Sequence, residues 1–350
     1  MNFSSDNAEG WAPQILEALV EANEGPMASY GADPLTDQVG KAFNDLFEKE
    51  VAAFLVPTGT AANSLAFATL CPPYGSIYAH EAAHVQIDEC GAPEFFTGGA
   101  KMMPLAGESG KITADTLAHA LGFSMKGIVH HSQPHLISLT QATECGTVYS
   151  PAEVRAVADV AHERDLSVHM DGARFANAIA HLKCSPAEMT WKVGVDVMSF
   201  GATKNGCMAA EAVIFFDPAK VGAFEYLRKR AGHLFSKHRV LAAQMAAYLK
   251  DDLWLELATH ANAQAQRLGK GLSDLEGVRL WYPVEGNDEF ASFPGDAAAR
   301  LMSKGVSFHP WIVPGDPAQG QMCRMITSFR TQEADVDQFL KLAKKECVED

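Results

Sequence analysis

The chain is poor in basic residues and has no long apolar run. Lysine and arginine number 28 against 43 aspartates and glutamates, so the formal net charge is −15. Binding to a nucleic-acid backbone needs a basic stripe, and this composition argues against such a partner. No apolar segment reaches the roughly 18 to 20 residues of a membrane-spanning helix, and residues 1–10 lack the features of a signal peptide. We expect a soluble, cytoplasmic protein with no membrane contact.

Clustered metal or disulfide ligands are also missing. The seven cysteines are odd in number and form no Cys-x-x-Cys pair, so neither a disulfide framework nor a zinc ribbon is expected. His130, His131 and His135 lie close together in sequence. No carboxylate or cysteine beside them completes a ligand set. We therefore expect reduced thiols and no metal site.

Strand-like and helix-like patterns alternate along most of the chain, without repeats or low-complexity linkers. Residues 36–50 have apolar side chains at helical spacing behind Thr36 as the N-cap, and a short buried strand follows at 51–56. Ser150-Pro151-Ala152-Glu153 combines a capping box with proline at the first helical position, and a strand follows at 166–170. This alternation predicts an α/β fold with a mostly parallel sheet covered by helices on both faces.

The pattern changes beyond about residue 253. A helix, short strands such as 278–282, and a terminal helix from Glu333 follow that point. We expect a large domain at 1–250, including an N-terminal segment, and a smaller α+β domain at 251–350.

The residues that indicate a chemical function lie at the ends of two predicted strands. The segment Val168-His169-Met170-Asp171-Gly172-Ala173-Arg174 ends a buried strand with a carboxylate, and a second strand-like run at 195–203 leads to Lys204 in a Gly-rich turn. Pyridoxal phosphate chemistry requires such a pair: the lysine amine forms a Schiff base, and the carboxylate keeps the pyridine nitrogen protonated. From these residues alone, Lys204 as a solvated turn lysine and Asp171 as a helix cap stay open.

A phosphate subsite is expected where the strand at 51–56 turns into a helix. Pro57-Thr58-Gly59-Thr60-Ala61-Ala62-Asn63 follows that strand, and a helical pattern begins near Ala62. Backbone amides and the positive end of a helix dipole favour an anion at such a turn. Ordinary helix capping is the alternative.

Several segments together resemble one family. They look, in order, like the motifs of the low-specificity L-threonine aldolases, which are fold type I pyridoxal phosphate enzymes, and the resemblance extends from about Ser5 to Arg330. The segments are Ser5-Asp6-Asn7, Tyr30-Gly31-Ala32-Asp33-Pro34, Pro57-Thr58-Gly59-Thr60-Ala61-Ala62-Asn63, Glu81-Ala82-Ala83-His84, Asp171-Gly172-Ala173-Arg174 and Thr203-Lys204-Asn205-Gly206.

The resemblance implies a role for each matching residue around the cofactor. Lys204 would bind pyridoxal phosphate covalently, Asp171 would pair with the pyridine nitrogen, and His84 would stack on the ring. Backbone amides would hold the phosphate, and these belong to Gly59, Thr60 and Ala61.

It also implies how a substrate is held. Ser5, Arg174 and Arg324 would bind the substrate carboxylate, with Arg174 lying near the cofactor as well. Tyr30 would reach the site of a neighbouring subunit. The active unit would be a dimer within a homotetramer.

Three positions depart from the family pattern. Ala61 stands where many members carry glutamine. Glu144, within Thr143-Glu144-Cys145-Gly146, stands where many members have a second active-site histidine. The family's phosphate-binding arginine has no clean match, and of Lys237 and Arg239 we favour Lys237 for that charge.

The implied reaction is a retro-aldol cleavage of a β-hydroxy-α-amino acid to glycine and an aldehyde, which makes the enzyme a carbon–carbon lyase. His84 is the preferred base, directly or through a water, and Glu144 is the competitor. L-threonine, L-allo-threonine and phenylserine all present the required β-hydroxyl. An aryl substrate would be compatible with aromatic and apolar side chains at Phe123, Met125, Phe235 and Trp311.

Other activities use the same two residues. An aminotransferase, a racemase or a β-eliminating lyase would also need Lys204 and Asp171, because reaction type depends on how the substrate is oriented. A non-catalytic ligand-binding protein that keeps the fold is the remaining alternative.

Overall fold

The computed structural model describes residues 1–311 and 322–347 of the chain. Within them the α-helices are α1 Pro13–Ala22, α2 Pro34–Leu46, α3 Gly59–Leu70, α4 His84–Ile87, α5 Ala92–Thr97, α6 Ala114–Gly122, α7 Pro151–His162, α8 Phe175–Leu182, α9 Pro186–Met189, α10 Phe224–Arg230, α11 Arg239–Leu249, α12 Leu253–Ser273, α13 Ala297–Ser303 and α14 Glu333–Glu346. The strands are β1 Ala52–Val56, β2 Gly75–His80, β3 Lys101–Leu105, β4 Gln133–Thr140, β5 Ser167–Gly172, β6 Val197–Gly201, β7 Glu211–Phe215, β8 Arg279–Leu280, β9 Asp288–Ser292, β10 His309–Trp311 and β11 Met322–Ile326.

A seven-stranded sheet forms the centre of the larger part of the molecule. Its strand order is β1-β7-β6-β5-β4-β2-β3. Strands β3, β2, β4, β5 and β6 are parallel, whereas β7 runs antiparallel to β6, and β1 runs antiparallel to β7. Every residue of β2, β6 and β7 is buried, as expected for strands covered on both faces. The expected mostly parallel α/β fold is confirmed.

The helix boundaries follow capping chemistry, and they correct two expectations. Helix α2 begins at Pro34 with Asp33 as its N-cap, since the Thr36 amide donates to Asp33 Oδ1 at 3.0 Å. Thr36 is therefore not the cap. Helix α3 begins at Gly59, three residues before the apolar pattern suggests, because Thr58 caps it from the end of β1. The capping box at Ser150 and Glu153 is confirmed.

An aromatic cluster supports the end of β6. Phe200 on that strand packs edge-on against Phe43 of α2 and Phe47 directly after it, with ring centroids 5.3 and 6.4 Å away, and contacts Trp254 at 6.0 Å. All four rings are buried. Helices α2 and α12 are thereby fixed against the strand that leads to Lys204.

A four-stranded antiparallel sheet of order β10-β11-β9-β8 lies in the C-terminal part. It has a separate apolar core, which includes Leu268 and Leu272 of α12 and Phe339 of α14. The N-terminal Phe3 also packs in this core, and its amide donates to the Ser307 carbonyl at 2.7 Å. The chain therefore starts against the second sheet and then passes to the ends of the parallel strands. No described helix combines the length and apolar character that crossing a membrane requires.

Candidate active site

Two adjoining cavities lie at the carboxyl ends of the parallel strands. The inner cavity has a volume of about 210 Å³, and the residues along its wall include Thr60, Asn63, His84, Asp171, Lys204 and Glu211. The outer cavity measures about 390 Å³, and its wall includes Ser5, His84, Glu144, Arg174, Trp311 and Arg324. Because His84, Glu144 and Lys204 line both, a molecule in one cavity adjoins a molecule in the other.

Lys204 lies in a short 3-10 turn directly after β6. The following residue anchors the turn, since Asn205 Nδ2 donates to the Tyr248 hydroxyl and to the Trp254 carbonyl, each at 2.7 Å. Gly206 has a φ of 110°, which favours glycine. The lysine is thus presented from a rigid, buried support, so the turn is more than a solvated loop.

Asp171 lies on β5, the strand beside β6, and is 3% exposed. Its Oδ1 accepts the Ala173 amide at 3.0 Å, and its Oδ2 accepts Asn63 Nδ2 at 2.8 Å. Helix α8 starts only at Phe175, and Asp171 is not its N-cap. The carboxylate is therefore held in the inner cavity in a fixed orientation.

His84 lies in the first turn after β2 and is paired with a buried carboxylate. His84 Nδ1 lies 2.9 Å from Glu89 Oε1, and the same oxygen accepts Asn63 Nδ2 at 2.9 Å. The hydrogen bond to Glu89 raises the pKa of His84, and burial of the ring opposes that rise. Neither Glu89 nor Asn63 was expected among the site residues.

The amino terminus of α3 faces the inner cavity. Gly59 and Thr60 line the wall, and a Cβ added at Gly59 would meet no atom within 4 Å. The Ala61 amide is already occupied, since it donates to the Thr58 hydroxyl at 3.2 Å, and Ala61 lies outside the cavity wall. The open amides at this helix end therefore belong to the residues before Ala61.

Arg174 is enclosed by two carboxylates. Its Nε donates to Asp6 Oδ2 at 2.8 Å, its Nη2 donates to Asp6 Oδ1 at 3.1 Å, and Asp288 Oδ2 lies 3.3 Å from Nε. Burial opposes ionisation of Asp6, yet Arg174, Lys204 and a hydrogen bond from Asn287 together outweigh it and lower the pKa of Asp6. Burial raises the pKa of Asp288. Arg174 is thus positioned rigidly, and much of its charge is compensated.

Arg324 on β11 is the other arginine of the outer cavity. Its guanidinium carbon lies 4.4 Å from the Trp311 ring centroid. Its Nε is buried and has no hydrogen-bond partner among residues 1–311 and 322–347. Ser5 lines the same cavity, but its hydroxyl accepts the Asn7 amide at 3.1 Å.

Glu144 stands where many family members have a second active-site histidine, and its side chain lines both cavities. Removal from water raises the pKa of Glu144, and the cations of Lys204 and Arg174 oppose the rise. Glu211 is a second carboxylate in the inner cavity. Its Oε2 accepts the Ala202 amide at 3.0 Å, and burial raises its pKa to about 7.

Several predicted residues lie away from both cavities in the single chain. Tyr30 is 49% exposed, and the centroid of its ring lies 4.3 Å from Lys229 Nζ, while Lys237 is exposed. Arg239 donates to the Gly25 carbonyl at 2.8 Å. Of the four side chains compatible with an aryl substrate, Trp311 lines the outer cavity, whereas Phe123, Met125 and Phe235 line neither.

The arrangement fits pyridoxal phosphate. A lysine and a carboxylate from neighbouring strands share one cavity, and a helix amino terminus with open space at Gly59 faces the same cavity. A primary amine, an acceptor for a pyridinium N–H and amides for a phosphate are the donor set that this cofactor needs. The fold and the site together define a pyridoxal phosphate-dependent enzyme of fold type I.

Comparison with known proteins identifies the family. Residues 2–293 match the beta-eliminating lyase family. The low-specificity L-threonine aldolase of a Pseudomonas species is 42% identical over 95% of this chain and 94% of the relative, and that of Pseudomonas aeruginosa is 42% identical over 98% and 96%. The structure of a threonine aldolase from Leishmania major superposes with a TM-score of 0.91 at 26% identity, covering 98% of each chain. The chain belongs to the low-specificity L-threonine aldolase family and is a carbon–carbon lyase that uses pyridoxal phosphate.

Proposed function

We propose that the protein cleaves L-threonine, L-allo-threonine and related β-hydroxy-α-amino acids to glycine and an aldehyde. One observation carries this proposal: the cavity that contains Lys204 and Asp171 opens into a second cavity that contains Arg324 and Arg174. An amino acid held by its carboxylate in the outer cavity presents its amino group toward Lys204. The 42% identity to L-threonine aldolases over nearly the whole chain supports the choice of reaction.

The two arginines contribute differently to substrate binding. Asp6 and Asp288 surround Arg174 and compensate much of its charge. In our proposal its guanidinium therefore orients the substrate carboxylate more than it attracts it. Arg324 has a free Nε among the described residues and a stacked indole behind it. A substrate carboxylate therefore gains most of its charge-assisted hydrogen bonding from Arg324. Together, the two guanidinium groups fix the rotation of the substrate about its Cα, which sets the bond that breaks.

Bond cleavage requires a base for the β-hydroxyl proton. The bound cofactor supplies an acceptor for the electron pair that cleavage leaves on Cα, with Asp171 holding the ring nitrogen. His84 lies on the wall of both cavities and receives the hydroxyl proton in our proposal. Glu144 faces the same space and is the competing base.

An aryl substrate also finds contacts. Trp311 and Pro310 form part of the outer wall, so a phenyl group on Cβ would contact apolar surface there. Phenylserine is therefore included among the proposed substrates.

We further propose a homotetramer in which Tyr30 and Lys237 complete the site of a neighbouring subunit. Both residues are exposed and lie outside the cavities of their own chain, which a role across an interface would require. We also propose a domain boundary near residue 250, because a separate apolar core is formed mainly by later residues, from Leu268 of α12 to Phe339 of α14. A cytoplasmic location is consistent with seven free thiols.

A product assay tests the reaction. Purified holoenzyme with L-threonine should form glycine and acetaldehyde in equal amounts. The hydroxylated keto acid 2-oxo-3-hydroxybutyrate would indicate transamination, and D-allo-threonine would indicate racemisation at Cα. Formation of 2-oxobutyrate with ammonia would indicate β-elimination. Any of these as the main product contradicts the proposal.

The two candidate bases can be separated by pH. Either base must be unprotonated to act, so the rate falls as pH drops through the raised pKa of the group that acts. With His84 as the base, we expect Glu144→Gln to keep the acidic limb of the kcat profile. The limb should move to lower pH, because the Glu144 charge contributes to the raised pKa of His84. Steady-state kcat from about pH 5 to pH 9 measures this.

The matching variant is His84→Asn. It should lower kcat by about 10² to 10⁴-fold, the range that a positioned general base contributes. If Glu144→Gln instead abolishes the acidic limb and causes the larger loss, Glu144 is the base.

A further inference from the structure

A chain of three hydrogen bonds links His84 to Asp171 across the inner cavity. It runs from His84 Nδ1 to Glu89 Oε1 at 2.9 Å, from that oxygen to Asn63 Nδ2 at 2.9 Å, and from Asn63 Nδ2 to Asp171 Oδ2 at 2.8 Å. The network joins three elements, since Asn63 lies on α3, His84 on α4 and Asp171 on β5. The contacts thus connect the two sides of the site.

The chemistry of the partners fixes the direction of these bonds. Glu89 and Asp171 are both carboxylates, and an amide nitrogen with two hydrogens can donate one to each. Asn63 therefore presents its NH2 group to both acids. Because Glu89 Oε1 is an acceptor, the hydrogen shared with His84 lies on Nδ1.

The position of that hydrogen leaves the other ring nitrogen available. His84 Nε2 has no hydrogen-bond partner among the described residues, and the side chain is 35% exposed. A neutral imidazole with its hydrogen on Nδ1 carries a lone pair on Nε2. That nitrogen is the one that can accept a substrate proton.

The carboxylate of Glu89 is inaccessible to solvent. Its side chain is fully buried, and Oε2 has no hydrogen-bond partner among the described residues. Such a charge is costly unless it is paired, so a proton arriving on His84 is stabilised by the facing carboxylate. Glu89 lies two residues after the single turn of α4. Local backbone geometry holds it there, since Cys90 and Gly91 reverse the chain with φ values of 52° and 73°.

We propose that Glu89 is a positioning residue for His84. It keeps the hydrogen on Nδ1, directs the Nε2 lone pair toward the substrate, and stabilises the imidazolium that forms when His84 takes the β-hydroxyl proton. Asn63 holds Glu89 in register with Asp171. The kinetic part of this inference rests on the proposed function, because it assumes that His84 is the base.

The first test measures the ring of His84 directly. The full-length holoenzyme is labelled with ¹³C and ¹⁵N histidine, and the His84 signal is assigned by its absence in His84→Asn. Glu89→Gln keeps the shape of the side chain and removes its charge. We expect the pKa of His84 to fall by about one unit or more in this variant. An unchanged pKa would overturn the proposal.

The control and a second variant separate charge from structure. Glu81→Gln makes the same substitution at an exposed carboxylate three residues before His84 and should leave the His84 titration unchanged. Glu89→Ala removes the acceptor, and the ¹⁵N shifts should then report hydrogen on Nε2 in part of the molecules. If Nδ1 stays fully protonated in Glu89→Ala, Glu89 does not set the tautomer.

Kinetics provide the independent readout. In Glu89→Gln the acidic limb of kcat should move to lower pH with the pKa of His84, while KM for L-threonine changes less than kcat. A change in KM with kcat unaltered, or an unmoved limb, contradicts the positioning role. The titration of His84 does not depend on the reaction. If the product assay fails while Glu89→Gln still lowers the pKa of His84, the proposed function is rejected and the assignment of Glu89 stands.

Discussion

Replacing Lys204 with alanine is expected to lower kcat for L-threonine by on the order of 10⁴-fold or more, which is the effect of deleting a catalytic nucleophile. The turn around Lys204 is held by Asn205, Tyr248 and Trp254, and none of these contacts uses the lysine side chain. The variant should therefore fold normally while losing covalent attachment of the cofactor. The measurements are glycine formation and the visible absorbance of the purified protein.

Lys204→Arg is the matched variant for charge. Arginine keeps a cation in the cavity but cannot lose its proton at any working pH, so it provides no neutral amine to form the covalent bond. We expect it to be as inactive as Lys204→Ala, although it should bind the cofactor noncovalently more tightly. Substantial glycine formation by either variant would show that another group performs the covalent step.

The second large effect is expected for Asp171→Asn. The carboxylate accepts the Ala173 amide with one oxygen and Asn63 Nδ2 with the other. An asparagine has one acceptor and one donor, so one of these contacts becomes donor against donor in either orientation. The negative charge that would face the pyridine nitrogen of the cofactor is lost as well. We expect kcat to fall by about 10² to 10⁴-fold, together with weaker cofactor retention.

The control for this variant lies outside the site. Asp196→Asn removes a carboxylate that pairs with His162 and Lys220 and accepts the Val168 amide. It should lower the free energy of unfolding while leaving the cofactor absorbance unchanged. Near-normal kcat and an unaltered absorbance spectrum in Asp171→Asn would contradict the assignment of Asp171 to the ring nitrogen.

Much of the fold could be predicted from the sequence because its signals are local. The capping box at Ser150 predicts the start of α7, and the terminal helix begins at Glu333 as expected. The apolar pattern places the start of α3 three residues too late, since small residues at Gly59 and Thr60 carry no apolar period and only Thr58 marks the boundary. The same reason applies to α2, where the apolar spacing does not indicate Asp33 as the cap, because the capping contact rather than periodicity sets the first turn.

The family, the cofactor and the position of Lys204 and Asp171 at strand ends can be predicted from the sequence alone, because each follows from residue types at the end of one strand or in one ordered motif. The side chains that form hydrogen bonds with the site residues can be identified only in the three-dimensional structure. Asn63 reaches Asp171 across 108 positions of sequence, and Asp6 reaches Arg174 across 168. A periodic pattern reports which face of its own element is buried, but it does not report which distant side chain meets that face. The network of Glu89, Asn63 and Asp171 is therefore a product of strand order and helix packing.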